Sequence, residues 1–157
     1  MKNVFKYIKE AIRLSAQNLV KNLGWPFGAV IVQNSKIVWR WKNQVTSRKD
    51  PTAHAEIQAI RNACKKLKTF DLSWCEIYSS CEPCPMCLWA IYRSRIDKVY
   101  FANTQKDAAD IGFDDKFIYQ EIDKAPDKRK IKFQEVDHQE AIKVFQKWNN
   151  KKNKKMY

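Results

Sequence analysis

Two short stretches carry the residues best suited to chemistry. In "PTAHAEIQAI", residues 51–60, a histidine at 54 stands two positions before a glutamate at 56. In "SSCEPCPMCLWAI", residues 79–91, cysteines stand at 81, 84 and 87. Imidazole nitrogen and thiolate sulfur are the usual donors to zinc. His54, Cys84 and Cys87 supply three of them and leave a fourth position for water, as a catalytic site requires. Glu56 is then the nearby carboxylate that moves protons. Cys81 keeps a second arrangement open. "CEPC" is itself C-x-x-C, so Cys81 together with His54, Cys84 and Cys87 would close a purely structural site. A third reading makes Cys81 a buried residue at a strand end, and spacing alone leaves all three open.

The elements around these stretches must bring them together. Residues 3–23 place Phe5, Ile8, Ile12, Ala16, Leu19, Val20 and Leu23 at helical spacing, and "GWPFG" ends that helix. "AVIVQ" and "KIVWRW" read as strands joined across Asn34-Ser35. A helix is expected from about Thr52 to Leu67, with Asp50 as its cap, Pro51 in its first turn and lysines at its C-terminus. His54 and Glu56 then lie in its opening turns. Residues at i and i+2 do not share a helix face, so one site serves both only beyond the helix end. "CEIYSS" is a strand, residues 84–94 a helix and "KVYFA" a strand. Cys84 and Cys87 share the start of that second helix, where the N-terminus favours thiolate. Further helices are expected at 114–121 and 139–150, with "IKFQEV" between them as an added strand. The alternation of strands and helices predicts an α/β fold with helices on the faces of a central sheet. Both motif helices follow strands, so their N-termini meet at one sheet edge.

The length, 157 residues, suits one domain, and 45% hydrophobic residues suffice for a core. No run of apolar residues is long enough for a transmembrane helix, and the basic N-terminus lacks the unbroken apolar core of a signal peptide. Five cysteines, an odd number, point to metal or thiol chemistry in a reducing cytoplasm. The net charge of +13 admits nucleic acid as a partner. Its dense cluster, "KWNNKKNKKMY", sits at the chain end, and such runs are more often solvated surface. His138 has no ligating company and reads as surface.

H-x-E followed by P-C-x-x-C is the signature of the zinc-dependent nucleobase deaminases, and "HAE" at 54–56 with "PCPMC" at 83–87 matches it. The likeness extends further. "PFGAVIV", "RKDPTAHAEIQAIR", "SSCEPCPMC", "DAADIGFDDKFIYQEI" and the terminal Tyr157 together resemble the bacterial guanine deaminases of the cytidine/deoxycytidylate deaminase superfamily. Bacterial tRNA adenosine deaminases share the "HAE" and "PCxMC" elements but differ downstream, where they lack "GFDD" followed by "FIY".

The resemblance implies a three-layer α/β/α cytidine-deaminase-like fold with a central mixed sheet. It implies one zinc per chain with a bound water or hydroxide, held by His54, Cys84 and Cys87, with Glu56 as proton shuttle. Phe27 would pack on the purine, Asn43 would contact the base, and the Ala55 backbone would face it. Asp115 would hold the leaving amino group. The implied assembly is a homodimer that exchanges a C-terminal segment, about residues 139–157, so that Tyr157 helps seal the pocket. Hydroxide would attack carbon 2 of guanine, Glu56 would carry the proton to nitrogen 3, and xanthine and ammonia would result.

Without that likeness, Phe27 reads as core, Asn43 as a turn residue, Asp115 as a helix cap and Tyr157 as a frayed end. The chain also departs from the family pattern. Trp25 and Trp89 stand where small residues are expected, and Arg93 where an aromatic is expected, so pocket shape and purine preference are in question. Three functions therefore stay open: a guanine deaminase, or a relative acting on other purines, pterins or triazines; a tRNA adenosine deaminase; and a non-catalytic zinc-stabilised module.

Overall fold

The computed structural model describes residues 2–21 and 23–156. Residues 1–115 form one compact unit and residues 116–157 a second.

In the first unit, helix α1 spans Lys2–Lys21. Strands β1 (Gly28–Gln33) and β2 (Lys36–Lys42) form an antiparallel hairpin in which Gln33 pairs with Lys36. The turn residues Asn34 and Ser35 both take positive φ, 49° and 59°. This is the backbone twist that suits a two-residue hairpin. A short helix α2 (Val45–Arg48) follows, then α3 (Ala55–Leu67), β3 (Cys75–Cys81), α4 (Pro85–Arg93), β4 (Lys98–Asn103) and α5 (Gln105–Asp110). The sheet order is β2-β1-β3-β4. β1 pairs antiparallel with β3, and β3 pairs parallel with β4 through the α4 crossover. The sheet is thus mixed, as expected.

Alternation along the strands decides which face each helix covers. Ala29, Ile31 and Ile77 point to one face and pack with Ala55, Ala59, Ile60 and Ala63 of α3 and Ile91 of α4. Val30, Val32 and Tyr78 point to the other and pack with Tyr7, Ala11 and Leu14 of α1. Helix–sheet–helix layering follows. Gly28 lets α1 approach closely, since a Cβ there would lie 2.3 Å from the Ala11 carbonyl oxygen. Tyr78 stacks on Tyr100 with ring centroids 4.6 Å apart and meets Tyr7 edge-on at 5.0 Å. Such pairs add to the energy of burial.

In the second unit, α6 covers Lys116–Ile122, a 3-10 turn covers Pro126–Lys128, and α7 covers His138–Asn149. The expected strand at "IKFQEV" does not form among the described residues.

The start of α3 also differs from expectation. Asp50 does not cap it. The Asp50 carboxylate instead accepts from the Thr52 backbone N–H at 2.8 Å and from the Thr52 hydroxyl at 2.7 Å, closing a local Asx turn. The helix therefore begins later, and His54 is its N-cap in an extended conformation, φ −64° and ψ 154°.

Candidate active site

The strand directions place one set of connections together. β1 begins, and β2, β3 and β4 end, at the same end of the sheet. The segments 24–27, 43–56, 81–87 and 103–115 emerge there. His54 caps α3, and Cys84 caps α4 with φ −65° and ψ 168°, followed by Pro85 in the first turn. A proline at N1 costs no hydrogen bond, so the cap residue is free to turn its side chain outward. Cys87, on the same helix face, points the same way.

These placements bring three donors together. The His54 Nδ1 lies 3.5 Å from Cys84 Sγ and 3.6 Å from Cys87 Sγ. All three ligand atoms fall within 4.8 Å of one another. A tetrahedral zinc with bonds of about 2.3 Å to sulfur and about 2.05 Å to nitrogen requires an N···S edge of about 3.5–3.6 Å. The donor set therefore fits zinc in chemistry and in spacing. Cys81 stands outside this group. Its thiol donates to the Thr104 carbonyl at 3.5 Å, and burial pushes its pKa up to about 11. The four-ligand arrangement is not formed.

Charge follows from these contacts. Cys84 is held as thiolate, pushed down to about 4, first by the hydrogen bond from the Cys87 thiol and then by His54. Cys87 is pushed up by that same bond and by burial. Burial pulls the His54 pKa down, but the Cys84 thiolate and the charges of Glu56 and Asp115 outweigh it, and the net direction is up.

Glu56, at the second position of α3, is only 4% exposed. Its Oε1 accepts a hydrogen bond from the Ser79 hydroxyl at 3.0 Å. Burial raises its pKa, and the Ser79 bond partly opposes that. A buried carboxyl with a raised pKa beside a metal site is suited to take up and release a proton.

Aromatic rings form one wall. The Trp25 ring lies 6.3 Å from the His54 ring and 5.0 Å from Phe113, and Phe113 meets Phe27 edge-on at 5.1 Å. Phe27 is thus in contact with the site and not only with the core. Asn43 is fully enclosed. Its Nδ2 has no protein partner, while its Oδ1 accepts from the backbone N–H groups of Trp25 and Val45. Ala55 opens α3, where a first-turn N–H has no intrahelical acceptor. Asp115 is half-buried. Burial and the Cys84 thiolate raise its pKa, and His54 opposes them. Tyr157 lies outside the described residues.

Trp89 and Arg93, the other departures, are exposed on α4. Ser79 and Phe113 were not legible as site residues. Their signals are register and company: Ser79 sits on β3 just before the cysteine motif, and Phe113 lies within "GFDD".

Residues 1–103 match the family model of the cytidine and deoxycytidylate deaminase zinc-binding region. The chain is 49% identical over 151 residues to the guanine deaminase of Bacillus subtilis, covering 96% of this chain and 97% of that one. It superposes on the X-ray structure of guanine deaminase from that organism with a TM-score of 0.93 over 97% of both chains. It is 43% identical to the tRNA-specific adenosine deaminase of Aquifex aeolicus, over 64% of this chain and 66% of that one. The fold is thus the expected cytidine-deaminase-like one. With its histidine and paired cysteines set for zinc, the chain belongs to the family defined by the cytidine and deoxycytidylate deaminase zinc-binding region.

Proposed function

We propose that the protein is a guanine deaminase, converting guanine and water to xanthine and ammonia. One observation carries this reading: the likeness to a guanine deaminase extends over 96% of the chain, whereas that to a tRNA-specific adenosine deaminase extends over 64%.

His54, Cys84 and Cys87 would hold one zinc, which supplies a hydroxide nucleophile near neutral pH. Attack falls on carbon 2 of the base, which bears the amino group. Glu56, kept in place by Ser79, takes the released proton and returns it at ring nitrogen 3. Asp115 would hold the amino group, which takes the proton of the new carbon 2 hydroxyl and leaves as ammonia as the carbonyl forms. Trp25, Phe27 and Phe113 pack against the planar base, and Asn43 donates from Nδ2 to an acceptor on it. The Ala55 N–H, at the positive end of α3, faces it as well. Such positioned proton transfer is typically worth about 10²–10⁴ in rate.

The active form is a cytoplasmic homodimer of single-domain chains that exchange residues 139–157, with Tyr157 closing the partner's pocket. The resemblance supports this, as do the exposed Val144, Phe145 and Trp148 of α7, which offer an apolar face to bury. The reducing cytoplasm suits zinc thiolates and an odd cysteine count. Among the described residues no helix is long and apolar enough to cross a membrane. The basic residues then serve as solvated surface and not as an RNA groove.

The test is ammonia release from guanine, guanosine, adenine, cytosine and an RNA hairpin presenting adenosine. Turnover of guanine is expected. Turnover of the hairpin adenosine without guanine would replace this reading with the tRNA deaminase.

A further inference from the structure

Asn18 lies on α1 with its side chain fully enclosed. Its Nδ2 donates to the Trp25 carbonyl and to the Asn43 carbonyl, each at 2.8 Å. The opposite amide orientation would set an oxygen against two carbonyl oxygens, so the network decides the assignment. Asn43 is fixed by the same logic. Its Oδ1 accepts from the Trp25 N–H at 3.3 Å and the Val45 N–H at 3.1 Å, and its own N–H donates to the Phe27 carbonyl at 2.9 Å. Gly24 closes the packing, since a Cβ there would lie 2.4 Å from the Asn43 carbonyl oxygen. Of the polar atoms of Asn43, Nδ2 alone is left without a protein partner. A buried donor left unfilled is costly, and under the proposed function an acceptor on the base completes it.

We propose that Asn18 is a positioning residue. By tying the Trp25 and Asn43 carbonyls to α1, it aims the Asn43 Nδ2 hydrogens at an acceptor on the bound base. The acceptor is a carbonyl oxygen or an unprotonated ring nitrogen, because the locked amide leaves Asn43 able only to donate. The same tie sets the Trp25 ring beside His54, so one helix side chain holds both a polar and an aromatic wall. That Asn43 meets the base rests on the guanine reading; the clamp of Asn18 on the Trp25 and Asn43 carbonyls does not.

A double-mutant cycle tests this. Parent, Asn18→Ala, Asn43→Ala and the double variant are assayed for kcat and KM with guanine, each checked for zinc content. Asn18→Ala is expected to raise KM about tenfold or more with kcat nearly unchanged, the pattern of lost binding. Added to Asn43→Ala, it should cost nothing further, since the two act through one contact. An unchanged KM, or losses that multiply, would overturn the proposal. Nitrogen-15 NMR of the zinc-loaded parent gives a reading that needs no variant to fold. The Asn18 side-chain amide hydrogens should exchange slowly and stay put when a purine base is added, while those of Asn43 shift. Asn18 hydrogens exchanging at the free rate, or Asn43 hydrogens that ignore the base that the parent binds, would refute it. A parent that turns over no guanine defeats the functional reading alone, and Asn18 amide protection still decides the clamp.

Discussion

The Ser79 hydroxyl on β3 donates to the Glu56 carboxylate on α3 at 3.0 Å. That bond joins the sheet to the first turn of the helix that carries His54. The strand therefore sets where this buried carboxylate stands relative to the cluster of His54, Cys84 and Cys87.

Glu56→Gln should fold and keep its zinc but lose nearly all activity. Gln preserves size and the Ser79 contact but does not accept a proton, and loss on the scale of about 10²–10⁴ is expected. Ser79→Ala should lose less, about tenfold, because the carboxylate remains but is less firmly held. Steady-state assays with metal analysis check both. Glu56→Gln activity within tenfold of the parent would rule out the shuttle.

Zinc content separates the cysteines. Cys84→Ser should bind little zinc, whereas Cys81→Ser should keep close to one per chain, since the Cys81 thiol faces the Thr104 carbonyl. Equal loss in both variants, measured by atomic absorption, would argue for a closed four-ligand site.

Deleting only Met156 and Tyr157 should weaken guanine turnover several-fold with fold and zinc unchanged. Mixed with Glu56→Gln chains, the truncated chains should regain activity. An exchanged dimer creates one site with both defects and one with neither. Truncation without effect, or a mixture without recovery, contradicts exchange.

Acid stability depends on Asp71. Its carboxylate accepts from the Ser73 N–H at 3.0 Å and from Arg95 at 2.6 Å, and these bonds hold its pKa below the ordinary carboxylate value, Ser73 first. A lowered folded pKa gives stability that is present above the unfolded value of about 3.9 and is lost as pH falls through the folded value. Asp71→Asn should therefore lower Tm at pH 7 by a small amount, and the gap to the parent should shrink below about pH 4. A gap that stays constant with pH would exclude this role.

The zinc motif was legible because it is local. Cys84 and Cys87 are held by one helix turn, His54 and Glu56 stand two positions apart, and the resemblance added Phe27, Asn43, Ala55 and Asp115. The hairpin was legible from Asn34-Ser35. The start of α3 was not, because the side chain of Asp50 satisfied Thr52 instead of the helix. Neither were Ser79, whose partner lies 23 residues away in sequence, and Asn18, which ties together carbonyls 7 and 25 residues away. The segment "IKFQEV" has strand composition, but composition does not supply a neighbouring strand to pair with. Short α2 and α5 carry too little periodicity to read; α5 is announced only by its Thr104–Asp107 capping box.

The far end of the sheet is free of these demands. The turn at 34–35 and the connections 68–74 and 94–97 lie at the strand ends opposite the site. Of these, the exposed turn at 34–35 accepts inserted sequence most readily, whereas the other two carry the buried Leu72 and Ser94. An affinity tag, a fluorescent domain or a surface tether placed at that turn would stand at the strand ends opposite His54, Cys84 and Cys87. Joined at that turn, the protein could be immobilised in a flow reactor through the end of the sheet that bears none of the metal-ligand candidates.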